Sequence, residues 1–317
     1  MKMIHETNYK LYNSKIKKTK KMSIISDLHF SYKVSDDKLN YIMKYLVKVY
    51  PDYILIPGDI IDSVDMILNQ NERKRLVTWI KELSQINKVI ISLGSHDYTK
   101  KVYDKNGKFS WKYYYNKDFF DEISNIDNVY LLDNLKYEDE DICILGYTQS
   151  LKSYCPYDKK SIFRNVPEDK KLKLEEINRL IDEEKISDNK LNIFMSHSPI
   201  YLTEDEFKKS LKDFDYIISG HMHNGCVPPI LYELWKSNKG LIAPNKDLFP
   251  SNERNTLLKK DDKLLVNGPL TTFQECTGKM QLFNFLFPYY TSNIIFTDDE
   301  TYGKQPFYKK EKYIKKI

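Results

Sequence analysis

The alternation of short apolar runs with polar clusters constrains this chain more than any other feature. Five β-branched or aliphatic runs stop abruptly at potential metal ligands, within residues 22–29, 52–62, 89–97, 191–197 and 215–223. Segments with helical periodicity, at 37–49, 71–85 and 168–184, are interspersed with these runs. This alternation predicts an α/β layered fold.

The polar clusters are expected to converge, because ligands of open α/β sheets bind beyond the carboxyl ends of the strands. The chain has six histidines, and five of them follow these runs: His29, His96, His197, His221 and His223. A single such histidine is more often a structural residue, but five together indicate one shared pocket. Imidazole with carboxylate suits first-row metals such as manganese, iron or zinc.

The composition is that of a globular protein without a dedicated nucleic-acid surface. With 317 residues, of which 41% are hydrophobic, the chain can form the core of one large α/β domain. Its 50 basic and 45 acidic residues do not give the concentrated positive field of a nucleic-acid binder. The four cysteines are widely spaced, so neither a disulfide framework nor a cysteine–zinc site is predicted.

The two ends of the chain are basic. No secretory or membrane-spanning run is present, which predicts a soluble cytoplasmic protein. We expect a single domain over residues 22–300, between a flexible basic segment at 1–21 and a basic tail at 301–317. Clustered lysines are attracted to acidic lipids, so the ends are compatible with peripheral contact at the inner membrane face. Solvated, partly disordered ends are the stronger alternative.

Five fragments, taken in order, resemble the signature of the calcineurin-like metallophosphoesterases. They are "DLH" at 27–29, "GDIID" at 58–62, "GSHD" at 94–97, His197 in "MSHSP", and "GHMH" at 220–223. The resemblance extends from residue 22 to about residue 225. It implies a two-sheet sandwich flanked by helices, with the metal site at the carboxyl ends of the strands. The runs at 264–270 and 293–299 are expected to be closing strands.

The same resemblance implies two divalent metal ions, with manganese expected and iron or zinc as alternatives. Asp59 would bridge the ions. The ligands of the first ion would be Asp27, His29 and His223, and those of the second would be His197, His221 and residue 95. A hydroxide that bridges the ions would attack phosphorus, because bound metals lower the pKa of water.

Three further residues of the signature are expected to support the reaction. His96 would donate a hydrogen bond or a proton to the leaving-group oxygen, and Asp97 would orient its imidazole. The alternative for Asp97 is a cap on the following turn. Asp62 would lie behind the metal ligands, and a helix-capping aspartate is an equally good interpretation.

Ser95 departs from the family pattern. The family has asparagine at this position, and the asparagine carbonyl oxygen reaches the second metal. A serine hydroxyl is shorter and is a weaker ligand, so we expect a weakened second metal site.

Two segments are candidates for the rim of the substrate site. Residues 224–262 would form a lid with an apolar wall, or alternatively a plug at the sandwich edge. The wall residues are Leu231, Trp235, Leu241 and Phe249. Residues 103–120 combine aromatics with lysines, a pattern that stacks bases or simply packs under a loop.

The predicted function is metal-dependent hydrolysis of a phosphodiester or phosphomonoester, on a small-molecule, nucleotide or lipid-linked substrate. The pattern is similar to bacterial members that include cell-envelope and lipid-pyrophosphate hydrolases. Within the enzyme class, the alternative is a nucleotide or nucleic-acid phosphodiesterase. Outside it, the alternative is a noncatalytic scaffold that binds phosphate or a partner. His96 favours catalysis, whereas Ser95 favours its loss.

Overall fold

The computed structural model describes residues 4–107, 109–151, 166–227, 256–257, 263–271, 288–302 and 308–314. Its strands in chain order are β1 (Ile4–Tyr12), β2 (Lys20–Ile24), β3 (Tyr53–Pro57), β4 (Lys88–Ser92), β5 (Thr99–Tyr103), β6 (Phe109–Tyr113), β7 (Val129–Leu132), β8 (Lys136–Glu138), β9 (Ile142–Tyr147), β10 (Leu191–Ser196), β11 (Tyr216–Ser219), β12 (Thr256–Leu257), β13 (Leu264–Val266), β14 (Tyr289–Thr297) and β15 (Tyr308–Ile314). The helices are α1 (Asp36–Val49), α2 (Asp65–Leu68), α3 (Gln70–Ser84), α4 (Lys117–Ser124), α5 (Val166–Glu184) and α6 (Asp205–Ser210).

The strands form two large sheets and a separate hairpin. The first sheet has the order β15-β1-β14-β2-β3-β4-β7, the second has the order β12-β13-β11-β10-β9-β8, and β5 pairs with β6. Strands β2, β3, β4 and β7 are parallel to one another, as are β9, β10, β11 and β13. The carboxyl ends of the strands that precede the polar clusters therefore share an edge within each sheet.

The sheets pack face to face, and helices cover both outer faces. The apolar side chains of β3 alternate, since Leu55 contributes to the core between the sheets and Ile54 to the core under the helices. In the second sheet, Ile193 lies between the sheets and Phe194 lies under α5 and α6. Strands that are buried on both faces have apolar residues at nearly every position. This arrangement confirms the predicted sandwich flanked by helices.

Local signals in the sequence account for two of the helices on the first sheet. Helix α1 begins after Ser35, whose hydroxyl accepts a hydrogen bond from the backbone nitrogen of Lys38 at 3.3 Å. Helix α3 begins after Asn69, whose side chain accepts from the backbone nitrogens of the first turn. Such side-chain caps satisfy backbone N–H groups that have no partner within the helix. The helices predicted at 37–49, 71–85 and 168–184 are present with similar bounds.

Both ends of the chain contribute strands to the first sheet. Strand β1 pairs in parallel with β14 and antiparallel with β15, so the two ends lie side by side in the first sheet. The side chains of Ile4, Tyr9 and Leu11 are buried. Burial of an aliphatic or aromatic side chain contributes about 1.5–3 kcal/mol, which favours an ordered strand over a solvated tail.

The basic cluster at 15–21 also makes contacts within the protein. Lys15 pairs with Asp215 at 2.9 Å, and Lys20 pairs with Asp141 at 2.8 Å. Both aspartates directly precede strands of the second sheet, so these lysines are engaged within the protein and give no support to membrane contact. Among the described residues, no helix is both long enough and apolar enough to cross a membrane.

A polar cluster around Asp139 ties the sheets together at the amino ends of β3 and β4. The Asp139 carboxylate accepts hydrogen bonds from Tyr53 at 2.8 Å, Tyr137 at 2.7 Å and Lys88 at 2.9 Å. Burial alone would raise the pKa of Asp139, but these donors outweigh it and hold the pKa well below its usual range. The charged carboxylate therefore stabilises the fold.

We predict that Asp139→Asn lowers the free energy of unfolding by about 2 kcal/mol at pH 7, because charged hydrogen bonds are lost. A carboxyl with a depressed folded-state pKa stabilises the protein above its unfolded pKa of about 4 and loses that effect as the pH falls further. The difference between wild type and variant should therefore shrink below about pH 4. Urea unfolding at several pH values measures it. The exposed Asp127→Asn is the control, and a pH-independent difference would contradict the assignment.

Candidate metal centre

Five segments bring their polar residues together at the carboxyl edge of the sandwich. They follow β2, β3, β4, β10 and β11. Among the described histidine, cysteine, aspartate and glutamate residues, three groups have ligand atoms that all lie within 4.8 Å of one another. The groups are Asp27, His29 and His223; Asp59, His197 and His221; and His29, Asp62 and His96.

Two carboxylates lie between the histidines of the first two groups. Oδ2 of Asp59 is 2.9 Å from Nε2 of His197 and 3.6 Å from Nε2 of His29. Oδ1 of Asp27 is 3.4 Å from Nε2 of His223 and 3.9 Å from Nε2 of His197. Asp59 therefore contacts histidines of both groups, as a bridging ligand must.

The backbone at these residues is strained. Positive φ angles occur at Asp27 (53°), His29 (44°), Asp59 (52°), His221 (70°) and His223 (47°). Residues with a Cβ atom rarely adopt this left-handed conformation, and each instance costs on the order of 1–3 kcal/mol. Such strain is found at functional sites, where the surrounding structure holds it in place.

Two glycines of the sequence motifs allow the carboxylates to approach the backbone. A Cβ atom on Gly94 would overlap Oδ1 of Asp59, and a Cβ atom on Gly220 would lie 2.6 Å from Oδ2 of Asp27. The backbone nitrogens of His96 and His221 donate to the same carboxylates at 2.9 Å and 3.0 Å. The glycines of "GSHD" and "GHMH" are therefore needed for close packing around the acidic groups.

The electrostatics of the site suit a cation. Burial lowers the pKa of His29 and of His221 to about 3, so both imidazoles are neutral and carry a lone pair for a metal. Burial also opposes the charge on His197, but the Asp59 carboxylate outweighs it and raises the pKa of His197 to about 9. The position between Asp59 and Asp27 thus attracts positive charge. Imidazole nitrogens and carboxylate oxygens are a fitting donor set for two first-row divalent ions.

Asp97 does not orient His96, which differs from our expectation. Its buried carboxylate accepts four backbone N–H bonds, from Asp59 at 2.9 Å, Ile60 at 2.9 Å, Ile61 at 3.1 Å and Gly94 at 2.8 Å. Burial and the Asp59 carboxylate raise the pKa of Asp97, and the N–H groups oppose that rise. Its contacts are closer to the capping alternative, and they join the loops that follow β3 and β4.

The imidazole of His96 is held by Asp62 instead. Nδ1 of His96 lies 2.7 Å from the carbonyl oxygen of Asp62, and it must donate because a carbonyl only accepts. The Asp62 carboxylate pairs with Lys101 at 2.6 Å. The N-terminal cap of α2 is Val64, so Asp62 does not cap that helix. The positive charge of the Lys101 ammonium also makes metal binding less favourable at the group formed by His29, Asp62 and His96.

The remaining predicted residues lie partly outside the described structure. Ser95 is half-buried and begins the 3₁₀ turn Ser95–Tyr98, between Gly94 and His96. Its role as a metal ligand stays a prediction. The expected lid residues lie outside the described residues: Leu231, Trp235, Leu241 and Phe249.

The sequence did not reveal two lysines that support the site. Lys101 contacts Asp62, as described above. Lys173 of α5 is buried, and its Nζ donates to the carbonyl oxygens of Ser198 at 3.1 Å and Ile200 at 2.9 Å. It therefore holds the loop that follows His197. A lysine in a helical stripe gives no local sign of such a contact.

Residues 21–225 match the calcineurin-like phosphoesterase family. The chain belongs to this family. The described residues include three groups of side chains that are able to hold a metal ion.

The individual proteins that resemble this chain are distant from it in sequence. An uncharacterized metallophosphoesterase of Campylobacter jejuni is 23% identical over 238 residues, which cover 74% of this chain and 51% of the relative. The chain thus spans about half the length of this curated relative. A dimetal phosphatase from Danio rerio aligns over 79% of this chain and 87% of its own, with 13% identity and a TM-score of 0.41. The nuclease MPE of Pseudomonas putida aligns over 64% and 61%, with 10% identity and a TM-score of 0.31.

We predict that Asp97→Asn lowers the free energy of unfolding by about 3 kcal/mol, because the amide offers one acceptor oxygen to the four N–H donors. Manganese affinity should fall by roughly tenfold or more as the loops that carry Asp59 and His96 loosen. Urea unfolding and titration calorimetry with manganese measure the two effects. Asp127→Asn again serves as the control. An unchanged manganese affinity would show that Asp97 does not organise the site.

Proposed function

We propose that the protein hydrolyses a phosphodiester or phosphomonoester at a dinuclear metal centre. The observation that carries the proposal is the position of the Asp59 carboxylate between His197 and His29. A carboxylate that lies near histidines of two groups can serve as a shared ligand of two divalent ions. Family membership supports the reaction class, whereas the substrate is part of the proposal.

The proposed ligands follow from the two groups. Asp27, His29 and His223 would hold one ion, His197 and His221 would hold the other, and Asp59 would contact both. We expect manganese, with iron or zinc as alternatives. When bound, the ions would lower the pKa of a water molecule for attack on phosphorus and neutralise charge on the phosphoryl oxygens. The bridging hydroxide that the family resemblance implies stays a prediction.

His96 would act on the leaving group. Its Nδ1 donates to the carbonyl oxygen of Asp62, so Nε2 is the nitrogen that remains for the substrate. When the imidazole is protonated on both nitrogens, Nε2 donates a hydrogen bond or a proton to the departing oxygen. The backbone nitrogen of His96 also donates to Asp59 at 2.9 Å, which places the residue beside the proposed bridging ligand.

We predict that Asp59→Asn lowers kcat for bis(p-nitrophenyl) phosphate by at least about 100-fold, because a bridging anion is replaced by a neutral amide. Titration calorimetry should show two bound manganese ions in the wild type and fewer in the variant. Asp127→Asn controls for the loss of a charge. If Asp59→Asn binds manganese and turns over like the wild type, the proposed centre is wrong.

We predict that Ser95→Asn lowers the manganese concentration for half-maximal activity by roughly tenfold, the size of effect common for changes around a metal ligand. The longer amide carbonyl should reach the second ion better than the serine hydroxyl does. Initial rates across a manganese titration measure the change. A wild type that is inert at saturating manganese, beside an active Ser95→Asn, would instead indicate a noncatalytic binding scaffold.

A further inference from the structure

A two-stranded hairpin lies beside His96. Its strands β5 and β6 are antiparallel, and Lys101 stands directly opposite Trp111. Side chains opposite each other in an antiparallel pair project from the same face. The register therefore places the ammonium of Lys101 and the indole of Trp111 on one face of the hairpin.

This face forms a closed ring of contacts with the reaction site. The Trp111 ring packs against the His96 ring, with centroids 4.8 Å apart and planes at 64°. The ammonium of Lys101 lies 5.0 Å from the Trp111 centroid and 2.6 Å from Oδ2 of Asp62. The carbonyl oxygen of Asp62 accepts from Nδ1 of His96 at 2.7 Å, which closes the ring.

This closed set of contacts restricts the orientation of the His96 imidazole more than a single hydrogen bond would. A single bond from Nδ1 leaves the His96 ring able to pivot about that bond. Trp111 packs against it, as does His29, whose ring centroid is 4.6 Å away at 87°. Packing that fixes a side-chain rotamer preorganises a catalytic group, and a displacement of about 1 Å can cost roughly 100-fold in rate.

We infer that Trp111 is a positioning residue that holds His96 for donation to the leaving group, and that the Lys101–Asp62 ion pair holds Trp111. The inference rests on the proposed function, since it concerns the role of His96 in that reaction. The indole already has a cation near its ring and an imidazole against it. Its side chain is 40% exposed, which is less than the 64% of Tyr103 on the same hairpin.

The test compares leaving groups. Proton donation matters most for a poor leaving group, so phenyl and p-nitrophenyl esters of one phosphodiester series should respond differently. We expect Trp111→Ala to lower kcat for the phenyl ester by about 100-fold and for the p-nitrophenyl ester by less than about threefold, with KM unchanged. Trp111→Phe should recover most of the loss. Tyr50→Ala, which removes an exposed aromatic side chain at the end of α1, should leave both rates unchanged.

A double-mutant cycle separates positioning from a general structural role. If Trp111 acts through His96, Trp111→Ala should have no further effect in a His96→Ala background. Lys101→Met should show the same dependence on the leaving group, with a smaller loss. The Lys101→Met variant also tests the inference if Trp111→Ala does not fold. Manganese titration calorimetry and urea unfolding accompany each variant.

The outcomes are distinguishable. An equal loss for both esters, or an additive effect in the His96→Ala background, would overturn the inference. A rise in KM with kcat unchanged would also overturn it, and would indicate that Trp111 binds the substrate. If the wild type hydrolyses neither ester at saturating manganese, the proposed function fails first. If the wild type is active and Trp111→Ala leaves the rates for both esters unchanged, the inference fails and the proposed function stands.

Discussion

The four hydrogen bonds that the Asp97 carboxylate accepts are the constraint on which the rest of the site depends. They bind the backbone of Asp59, Ile60, Ile61 and Gly94, so they join the loops that follow two neighbouring strands. Within those loops, Asp59 and His96 obtain fixed positions. A carboxyl group is suited to this task, because its two oxygens together can accept four N–H bonds.

The site concentrates features that are unfavourable by themselves. Two buried carboxylates lie among histidines, and the residues that carry them have positive φ angles. Burial of uncompensated charge is costly, and so is a left-handed conformation at a residue with a Cβ atom. The two-sheet core supplies the stability that tolerates both. Divalent cations would reduce the electrostatic cost, which is why the donor set and the strain point to the same function.

Two lysines outside the family motifs, Lys101 and Lys173, contribute to how the motif residues are held. Asp62 contributes its carbonyl oxygen to His96 and its carboxylate to Lys101. Lys173 reaches from α5 to the loop after His197. Neither lysine would be a metal ligand, yet both fix backbone or side-chain positions next to the proposed ligands. The geometry of the site therefore depends on the helix α5 and the β5–β6 hairpin as well as on the strand ends.

The sequence by itself determined the alternation of strands and helices, the family, and the segments that converge at the carboxyl edge. These follow from local periodicity and from ordered motifs, which are short-range properties. Only the tertiary structure decided that strand β1 pairs with β14 and β15, that Asp97 binds backbone rather than His96, and that Lys101 joins Asp62. The pairing of β1 and the contacts of Asp97 and Lys101 join residues that are distant in the chain. No local pattern specifies such partners, because they are selected by how the whole core packs.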